Sequence, residues 1–189
     1  MFIDERKTEN LINKLTYYIN NSESFIALLI DIDDFHDGRS TLSRDEKIRK
    51  IHEFLNENLS FSVNYLGKDE FFSICSDFSI EHVISELYVS KKNLPNDILT
   101  SFTAGIAEYP KNGKDEIEIF RLLEESIYQG KKEGKNKIIF AHDTKMKMKN
   151  NYYTTIQLER LNELSRVSGR NESSLLREAL DILLRIRLD

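Results

Sequence analysis

The sequence contains a single cysteine, no long apolar run and no low-complexity segment among its 189 residues. One cysteine cannot form an internal disulfide bond, and Cys75 falls within an apolar run, so we expect a packed core residue. The longest apolar run is far too short to span a bilayer, and the charged opening MFIDERK is unlike a secretory signal. We therefore expect a cytoplasmic protein that makes no contact with a membrane.

Length and charge indicate two parts of unequal size. A chain of 189 residues fits one ordinary domain plus a small appendage. The net charge is -5, but the residues from 144 onward carry nine Lys/Arg against six Asp/Glu, which leaves -8 for the rest. We predict an acidic domain over residues 1–143 and a mildly basic one over residues 144–189. Such a basic excess permits contact with nucleic acid, although it is more often a solvated face.

The first 143 residues combine helical and strand-like apolar patterns. Four stretches repeat apolar residues with helical spacing, whereas shorter apolar runs are typical of strands. The order is helix, strand, helix, hairpin, helix, strand, helix, strand. This order predicts an α+β fold with one central sheet and helices packed on it. The four helical stripes begin at Leu11, Ile48, Ile80 and Ile117, and Ser43 with Glu46 predicts a capping box for the second helix.

The segment YLGKDEFFSIC, Tyr65 to Cys75, places two adjacent carboxylates on a glycine turn. The apolar runs on either side predict two short buried strands, joined by a hairpin turn at Gly67-Lys68. Asp69 and Glu70 are then expected at the tip of the hairpin. Two exposed carboxylates at such a tip indicate a metal-binding hairpin.

A second acidic cluster closes the apolar run FIALLIDIDDF, whose first half is typical of a strand buried on both faces. Asp31 and Asp33 are expected where this strand ends. Since paired strands lie roughly 4.8 Å apart, Asp31 and Asp69 can reach one divalent ion. The sequence therefore predicts a magnesium site.

The succession of DIDDF and GKDEF resembles the GGDEF family, the diguanylate cyclase domains that join two GTP molecules into cyclic di-GMP. Two later segments, LTSFTAGIAEYP and IYQGKKEGKNKIIF, resemble further motifs of that family in the same order. The resemblance covers about residues 5 to 142. It implies a palm-like, ferredoxin-like arrangement in which helices pack against a central antiparallel sheet.

The resemblance also implies a metal-dependent phosphoryl transfer. It makes Asp31, Asp69 and the carbonyl of Ile32 the ligands of Mg²⁺ or Mn²⁺. Glu70, with Asp69, is the implied catalytic residue and assists the attacking ribose hydroxyl. The ligand would be GTP or a cyclic dinucleotide.

Several implied nucleotide contacts depart from the family pattern. Lys68 stands at the second glycine of the signature, where its side chain either blocks the pocket or adds a phosphate contact. His36 stands at a usual lysine position, and Lys135 stands where arginine is usual, which loses the bidentate fork. Asp45 matches a guanine-reading aspartate. The nucleotide-binding candidates are His36, Asp45, Gly67, Lys68, Lys131 and Lys135.

The last 46 residues change pattern. KMKMKNNYY alternates like a strand, and two helical stretches follow around Gly169-Arg170. Thr154 and Gln157 predict a capping box for the first of these helices, and Gly169 predicts its C-terminal cap. Asn171 or Ser173 would start the second. With the segment GRNESSLLREAL, this part resembles the ribbon-helix-helix repressors of the Arc/MetJ/CopG type.

A unit with one strand and two helices cannot bury its own apolar faces, so we expect two chains to intertwine as a homodimer. The resemblance implies that the paired strands enter the major groove of double-stranded DNA. A shift of one residue would instead expose Met146, Met148 and Asn151, and dimerisation without DNA contact is the plainer alternative. The predicted base-reading residues are Lys147, Lys149, Asn150 and Tyr152. The predicted phosphate contacts are Asn171 and Ser173.

Three functions remain open from the sequence. The leading hypothesis is a dimeric DNA-binding transcriptional regulator whose degenerate GGDEF-like domain binds a nucleotide and thereby modulates DNA binding. The rival is an active diguanylate cyclase or cyclic dinucleotide synthase that is dimerised by its C-terminal module. The third is a structural domain without a ligand.

Overall fold

The computed structural model describes residues 5–36, 41–95, 98–141 and 149–188. The chain forms two compact units, residues 1–143 and 144–189, called here the body and the tail. The helices of the body are α1 (Glu5–Asn21), α2 (Arg44–Asn58), α3 (Ile80–Lys92) and α4 (Glu116–Lys132). Its strands are β1 (Phe25–Ile32), β2 (Asn64–Gly67), β3 (Glu70–Cys75), β4 (Phe102–Tyr109) and β5 (Ile138–Phe140). The predicted order of elements in the body is confirmed.

The centre of the body is β1, which is buried along its whole length. The strand order is β2-β3-β1-β4-β5, so β1 has a paired strand on each side. Because side chains alternate along a strand, Leu28 packs in a core with α2 and α3, while Leu29 packs in a second core with α1 and α4. Helices on both faces explain why the β1 sequence is apolar without alternation.

The sheet is mixed, which corrects the antiparallel sheet expected from the sequence. β1 runs antiparallel to β3 and β4, and β2 runs antiparallel to β3, but β5 runs parallel to β4. The physical reason is that α4 connects β4 to β5, and a helical crossover returns the chain in its original direction.

The close packing of α4 on β4 depends on two glycines. A Cβ at Gly105 of β4 would lie 2.7 Å from the carbonyl oxygen of Leu123, and one at Gly130 of α4 would lie 2.5 Å from Cγ2 of Thr103. Only glycine allows the two backbones to approach this closely. The contact fixes the last turn of α4 against the sheet, directly before Lys131.

The ends of the helices follow the sequence signals. Ser43 and Glu46 form the predicted capping box of α2, and Cys75 is buried in the core as expected. No helix within the described residues is both long enough and apolar enough to cross a bilayer.

The tail contains two helices, α5 (Thr155–Ser168) and α6 (Glu172–Leu188). The predicted capping box of Thr154 and Gln157 and the left-handed cap at Gly169 are both present. Asn171 caps α6, since its Oδ1 accepts a hydrogen bond from the backbone N–H of Ser174 at 2.8 Å. Residues 149–154 belong to neither helix nor strand, and residues 144–148 lie outside the described residues. The ribbon therefore stays a prediction.

Candidate functional site

A cavity of about 450 Å³ lies where β1 ends. The loop after β1, the β2–β3 turn and the end of α4 with its following turn surround it. Carboxylates and lysines dominate its walls, as expected for a site that holds a cation together with phosphates. The lining residues are Asp31, Ile32, Asp33, Asp34, Phe35, His36, Asp69, Lys131 and Lys135.

Asp31 is the most unusual side chain in this cavity. It is 3% exposed, and its Oδ2 lies 2.7 Å from Nζ of Lys131. Its Oδ1 is buried without a hydrogen-bond partner in the described parts of the chain. Burial raises the pKa of Asp31 to about 7, although the hydrogen bond and charge of Lys131 act in the opposite direction. A buried carboxylate oxygen without a partner fits a metal ligand, because a cation would offset the desolvation of the charge.

The hairpin turn brings the other two predicted acidic residues beside Asp31. Glu70 faces Asp31 across the β1–β3 pair, and the backbone N–H of Ile32 donates to the carbonyl oxygen of Asp69 at 3.0 Å. Asp69 lines the cavity. The pKa of Glu70 rises to about 8, chiefly because its carboxyl is desolvated and further because Asp31 is close.

Asp33 has a different environment. It is 2% exposed and accepts hydrogen bonds from the hydroxyls of Ser101 at 2.7 Å and Thr103 at 2.8 Å. It also accepts one from the backbone N–H of Asn136 at 2.9 Å. These three donors satisfy its oxygens, so Asp33 joins the start of β4 to the turn after α4 rather than offering a vacant ligand.

Two lysines supply the positive charge of the cavity. Lys131 lies in the last turn of α4, and Lys135 follows in the α4–β5 turn, where its Nζ lies 2.5 Å from Oδ1 of Asp34. Burial lowers the pKa of Lys131 but its hydrogen bond to Asp31 raises it, and the net shift is upward. The hydrogen bond to Asp34 raises the pKa of Lys135. Both side chains therefore carry the charge that phosphates attract.

The donor set fits Mg²⁺ bound together with phosphates. Within the described ranges, no three His, Cys, Asp or Glu side chains form a ready ion site. Mg²⁺ is commonly held by one or two carboxylates plus phosphates and water. Asp31, Asp69 and the carbonyl of Ile32 would hold the ion here, with the unpartnered oxygen of Asp31 as the observation in its favour.

The remaining nucleotide-binding candidates are distributed unevenly. His36 lines the cavity, with its ring 5.0 Å from that of Phe35 and edge-on to it. Gly67 and Lys68 form the turn beside Asp69 but do not line the cavity, and neither does Asp45, which is exposed in the first turn of α2. Residues 37–40, between β1 and α2, lie outside the described residues.

The turn at Gly67 and Lys68 has a backbone conformation that favours glycine at both positions. Gly67 has φ 141° and Lys68 has φ 48°, so a lysine adopts a left-handed conformation that glycine adopts without strain. The carbonyl oxygen of Lys68 accepts hydrogen bonds from the Arg44 guanidinium at 3.2 Å and the Tyr65 hydroxyl at 3.1 Å. These contacts hold the turn in place.

No sequence pattern indicates a role for Lys91, which lies at the end of α3. Its Nζ donates hydrogen bonds to the carbonyl oxygen of Phe102 and to Oδ1 of Asn136, the latter at 2.7 Å. Asn136 belongs to the segment GKNK, but no local pattern predicts that a lysine 45 residues earlier contacts it.

The predicted DNA-contacting residues lie in two places. Lys149, Asn150 and Tyr152 are exposed just before α5, whereas Lys147 lies outside the described residues. Asn171 and Ser173 lie at the start of α6. Their contact with DNA stays a prediction.

Arg170, in the turn between the tail helices, is engaged within the tail. Its guanidinium lies 2.6 Å from a carboxylate oxygen of Glu178 and 3.1 Å from the hydroxyl of Ser174. The hydroxyl of Ser165 donates to its carbonyl oxygen at 2.6 Å. Arg170 therefore joins α5 and α6.

Comparisons with known proteins identify the fold of the body. The search with protein-family models found no match. An uncharacterised membrane protein from Staphylococcus saprophyticus is 27% identical to this chain over 135 residues. The match covers 64% of this chain but only 38% of that relative.

Solved structures are more informative about the fold. The GGDEF domain of YfiN (TpbB) from Pseudomonas aeruginosa matches with a TM-score of 0.59 and 21% identity, over 74% of this chain and 89% of that one. The active GGEEF domain of a diguanylate cyclase from Vibrio cholerae matches with a TM-score of 0.58 and 14% identity, over 74% and 97%. The GGDEF domain of DgcB from Caulobacter crescentus, in complex with cyclic di-GMP, matches with a TM-score of 0.58 and 15% identity, over 72% and 89%. The body therefore has the GGDEF fold.

Proposed function

We propose that this protein is a dimeric DNA-binding regulator whose body binds a nucleotide with Mg²⁺ and whose tail joins two chains and contacts DNA. The observation that carries the proposal is the buried oxygen of Asp31, which has no partner in the described residues and belongs to a side chain that lines the same cavity as Lys131. This combination suits a metal ion and the phosphates it accompanies.

In the body, the acidic residues of the cavity would bind the ion and the basic residues would bind the phosphates. Asp31, Asp69 and the carbonyl of Ile32 would hold the ion, which neutralises phosphate charge when bound. Lys131 and Lys135 would contact the phosphates. The solved GGDEF domain of DgcB contains cyclic di-GMP, so we include this dinucleotide with GTP among the candidate ligands.

The exposed apolar side chains of the tail support the homodimer. Leu175 is buried, at 8% exposure, but most of the other large apolar residues of α5 and α6 are not. Burying one such side chain contributes roughly 1.5–3 kcal/mol, so a second tail is a favourable partner for this surface. The exposed residues are Ile156, Leu158, Leu164, Val167, Leu180, Ile182, Leu183, Leu184 and Ile186.

Calorimetry tests the nucleotide site directly. GTP, ATP and cyclic di-GMP, each with Mg²⁺, are titrated into the wild-type protein, Asp31→Asn and Asp69→Ala. Asp77→Asn is the matched control, because this exposed aspartate follows the opposite end of β3. We expect binding to the wild type and the control and a loss in the other two variants. Binding that is equal in all four proteins would contradict the carboxylate site.

Fluorescence anisotropy tests the regulatory coupling. The full-length protein is titrated into labelled double-stranded DNA of random sequence at fixed salt, with and without the nucleotide that binds by calorimetry. Occupancy is expected to change the DNA affinity, because the two sites are coupled in the proposal. An affinity for DNA that no nucleotide alters would overturn the coupling, and an absence of DNA binding would overturn the regulator.

A cyclic dinucleotide synthase is the second candidate. The observation in its favour is that Asp31, Asp69 and Glu70 are all present at one end of the β1–β3 pair. The tail would then hold two bodies at high effective concentration so that two nucleotides meet. Incubation with GTP, ATP or both, with Mg²⁺ or Mn²⁺, tests it by chromatography of the products. A complete lack of cyclic product would exclude this candidate, and product that persists in Glu70→Gln would exclude the role of Glu70.

A further inference from the structure

Lys91 is a charged side chain that the proposed site does not use, although it lies close to it. It belongs to the last turn of α3, and its side chain extends over the ring of Phe102 with Nζ 4.1 Å from the ring centroid. Burial lowers the pKa of Lys91 to about 8, while the charge of Asp33 acts to raise it. Retaining an ammonium group in such a place opposes folding, so a contact that needs its donors is the natural explanation.

The donors of Lys91 hold the turn between α4 and β5. Nζ donates to Oδ1 of Asn136 at 2.7 Å and to the carbonyl oxygen of Phe102. The backbone N–H of Asn136 in turn donates to Asp33 at 2.9 Å. Lys91 on α3 therefore holds the side chain of Asn136, and Asp33 at the end of β1 holds its backbone.

The turn needs such restraint because its backbone is strained. Three consecutive residues have positive φ: Gly134 at 106°, Lys135 at 64° and Asn136 at 53°. Lysine and asparagine adopt this region at a free-energy cost, so the surrounding contacts must fix it. Lys135, in the middle of the three, is one of the residues that line the cavity.

We propose that Lys91 is a positioning residue that fixes the α4–β5 turn through Asn136 and so presents Lys135 to the phosphates of the bound nucleotide. This inference rests on the proposed nucleotide site. It adds to that site a role for α3, which has no residue in the cavity but would fix the geometry of the contact that Lys135 makes.

A double-mutant cycle tests the inference. Lys91→Met keeps the apolar stem over Phe102 but removes the donors, and Lys91→Arg keeps a charge and several donors. Lys92→Met is the matched control, because it removes the same charge from the neighbouring exposed position. Affinity for GTP with Mg²⁺ is measured by calorimetry in these variants, in Lys135→Met and in Lys91→Met/Lys135→Met. Thermal unfolding and amide hydrogen exchange of the turn are measured on the same samples.

We expect Lys91→Met to weaken binding by roughly tenfold, the lower range for residues that orient a ligand-contacting group. Lys91→Arg should restore most of the affinity, and Lys92→Met should leave it unchanged. In the Lys135→Met background, Lys91→Met should cause little further loss of affinity, because Lys91 acts on the ligand only through Lys135. The amide of Asn136 should exchange faster in Lys91→Met without a fall in the unfolding temperature.

Several results would overturn the inference, and they differ in what else they overturn. Binding to the wild type that Lys91→Met leaves unchanged, or additive losses in the cycle, would reject the role of Lys91 and leave the nucleotide site intact. No binding of nucleotide to the wild type would reject the proposed function and this inference together. A lower affinity that parallels a lower unfolding temperature in Lys91→Met, without faster exchange in the turn, would indicate a general packing defect and also reject it.

Discussion

At the scale of single residues, the site centres on the carboxylate of Asp31, which forms an ion pair with the ammonium group of a lysine. Lys131 lies 2.7 Å from one oxygen of Asp31 and leaves the other oxygen without a partner in the described residues. The lysine neutralises a charge that burial would otherwise make costly. Asp31 would hold a divalent ion here, and Lys131 would then be available to contact a phosphate.

Lys131→Met is therefore expected to have opposite effects on two ligands. At a pH high enough to ionise Asp31 in both proteins, Mn²⁺ alone should bind about tenfold or more tightly, because its competitor for a buried carboxylate is gone. A nucleotide with Mg²⁺ should bind more weakly, because a phosphate contact is lost. Electron paramagnetic resonance of free Mn²⁺ and calorimetry of the nucleotide measure the two effects.

Lys132→Met provides the control for net charge, since Lys132 is the next residue of α4 and is exposed. It removes the same charge without the contact to Asp31. If Lys131→Met and Lys132→Met change the Mn²⁺ affinity equally, the effect comes from net charge. That result would contradict a competition between Lys131 and Mn²⁺ for Asp31.

The raised pKa of Glu70 predicts how stability varies with pH. Its pKa is about 8 in the folded protein against an ordinary value of 4.5, so the folded state binds more protons between these values. The free energy of unfolding should therefore fall as pH rises from about 5 to about 8. Glu70→Gln should reduce the slope of this dependence, leaving the part that Asp31 contributes through its own raised pKa, and should be the more stable protein at pH 8.

Urea unfolding at a series of pH values, without divalent ions, measures this effect. Glu57→Gln on α2 is the control, because Glu57 is exposed. Parallel stability curves for the wild type and Glu70→Gln would contradict the desolvated environment of Glu70.

At the scale of elements, the position of α4 depends on how closely it approaches β4. A methyl group at Gly130 would lie 2.5 Å from Cγ2 of Thr103 and 3.1 Å from a side-chain carbon of Ile139. The helix cannot remain in place if this volume is filled. Because Lys131 follows directly, a shift of the helix also moves the site.

Gly130→Ala is expected to destabilise the body by about 1–3 kcal/mol, the usual range for overpacking, despite the better helix propensity of alanine. Chemical unfolding of the full-length chain measures the loss. Gln129→Ala, one residue earlier and exposed, should be close to neutral. A Gly130→Ala protein as stable as Gln129→Ala would show that the helix has room to move away from β4.

The capping signals show that local sequence determines where several helices begin and end. Ser43 with Glu46 and Thr154 with Gln157 form the predicted capping boxes, and Gly169 ends α5 in the predicted left-handed conformation. Such contacts lie within three or four residues, so the sequence predicts them directly. The direction of β5 is not local, because it depends on where α4 returns the chain.

At the scale of the whole molecule, we expect the tail to determine the oligomeric state. Leu183 is 52% exposed on α6, and a charge there should oppose the burial of this surface against a second tail. Leu183→Glu is therefore expected to be monomeric in sedimentation equilibrium of the full-length protein, and the wild type is expected to be dimeric. Tyr88→Glu is the control, because Tyr88 is a 55% exposed side chain of the body.

A wild-type protein that remains monomeric at tens of micromolar would contradict the dimer. If Tyr88→Glu is monomeric while Leu183→Glu is dimeric, the interface lies on the body and not on the tail.

The sequence by itself determined the order of the elements in the body, the GGDEF resemblance and the residues that close β1 and open β3. These follow from apolar periodicity and short motifs, which act over a few neighbouring positions. The tertiary structure decided that the sheet is mixed, that Asp33 accepts hydrogen bonds from Ser101, Thr103 and Asn136, and that one oxygen of Asp31 has no described partner. It also decided the place of Lys91, because such contacts join residues dozens of positions apart that only the packing of helices on the sheet brings together.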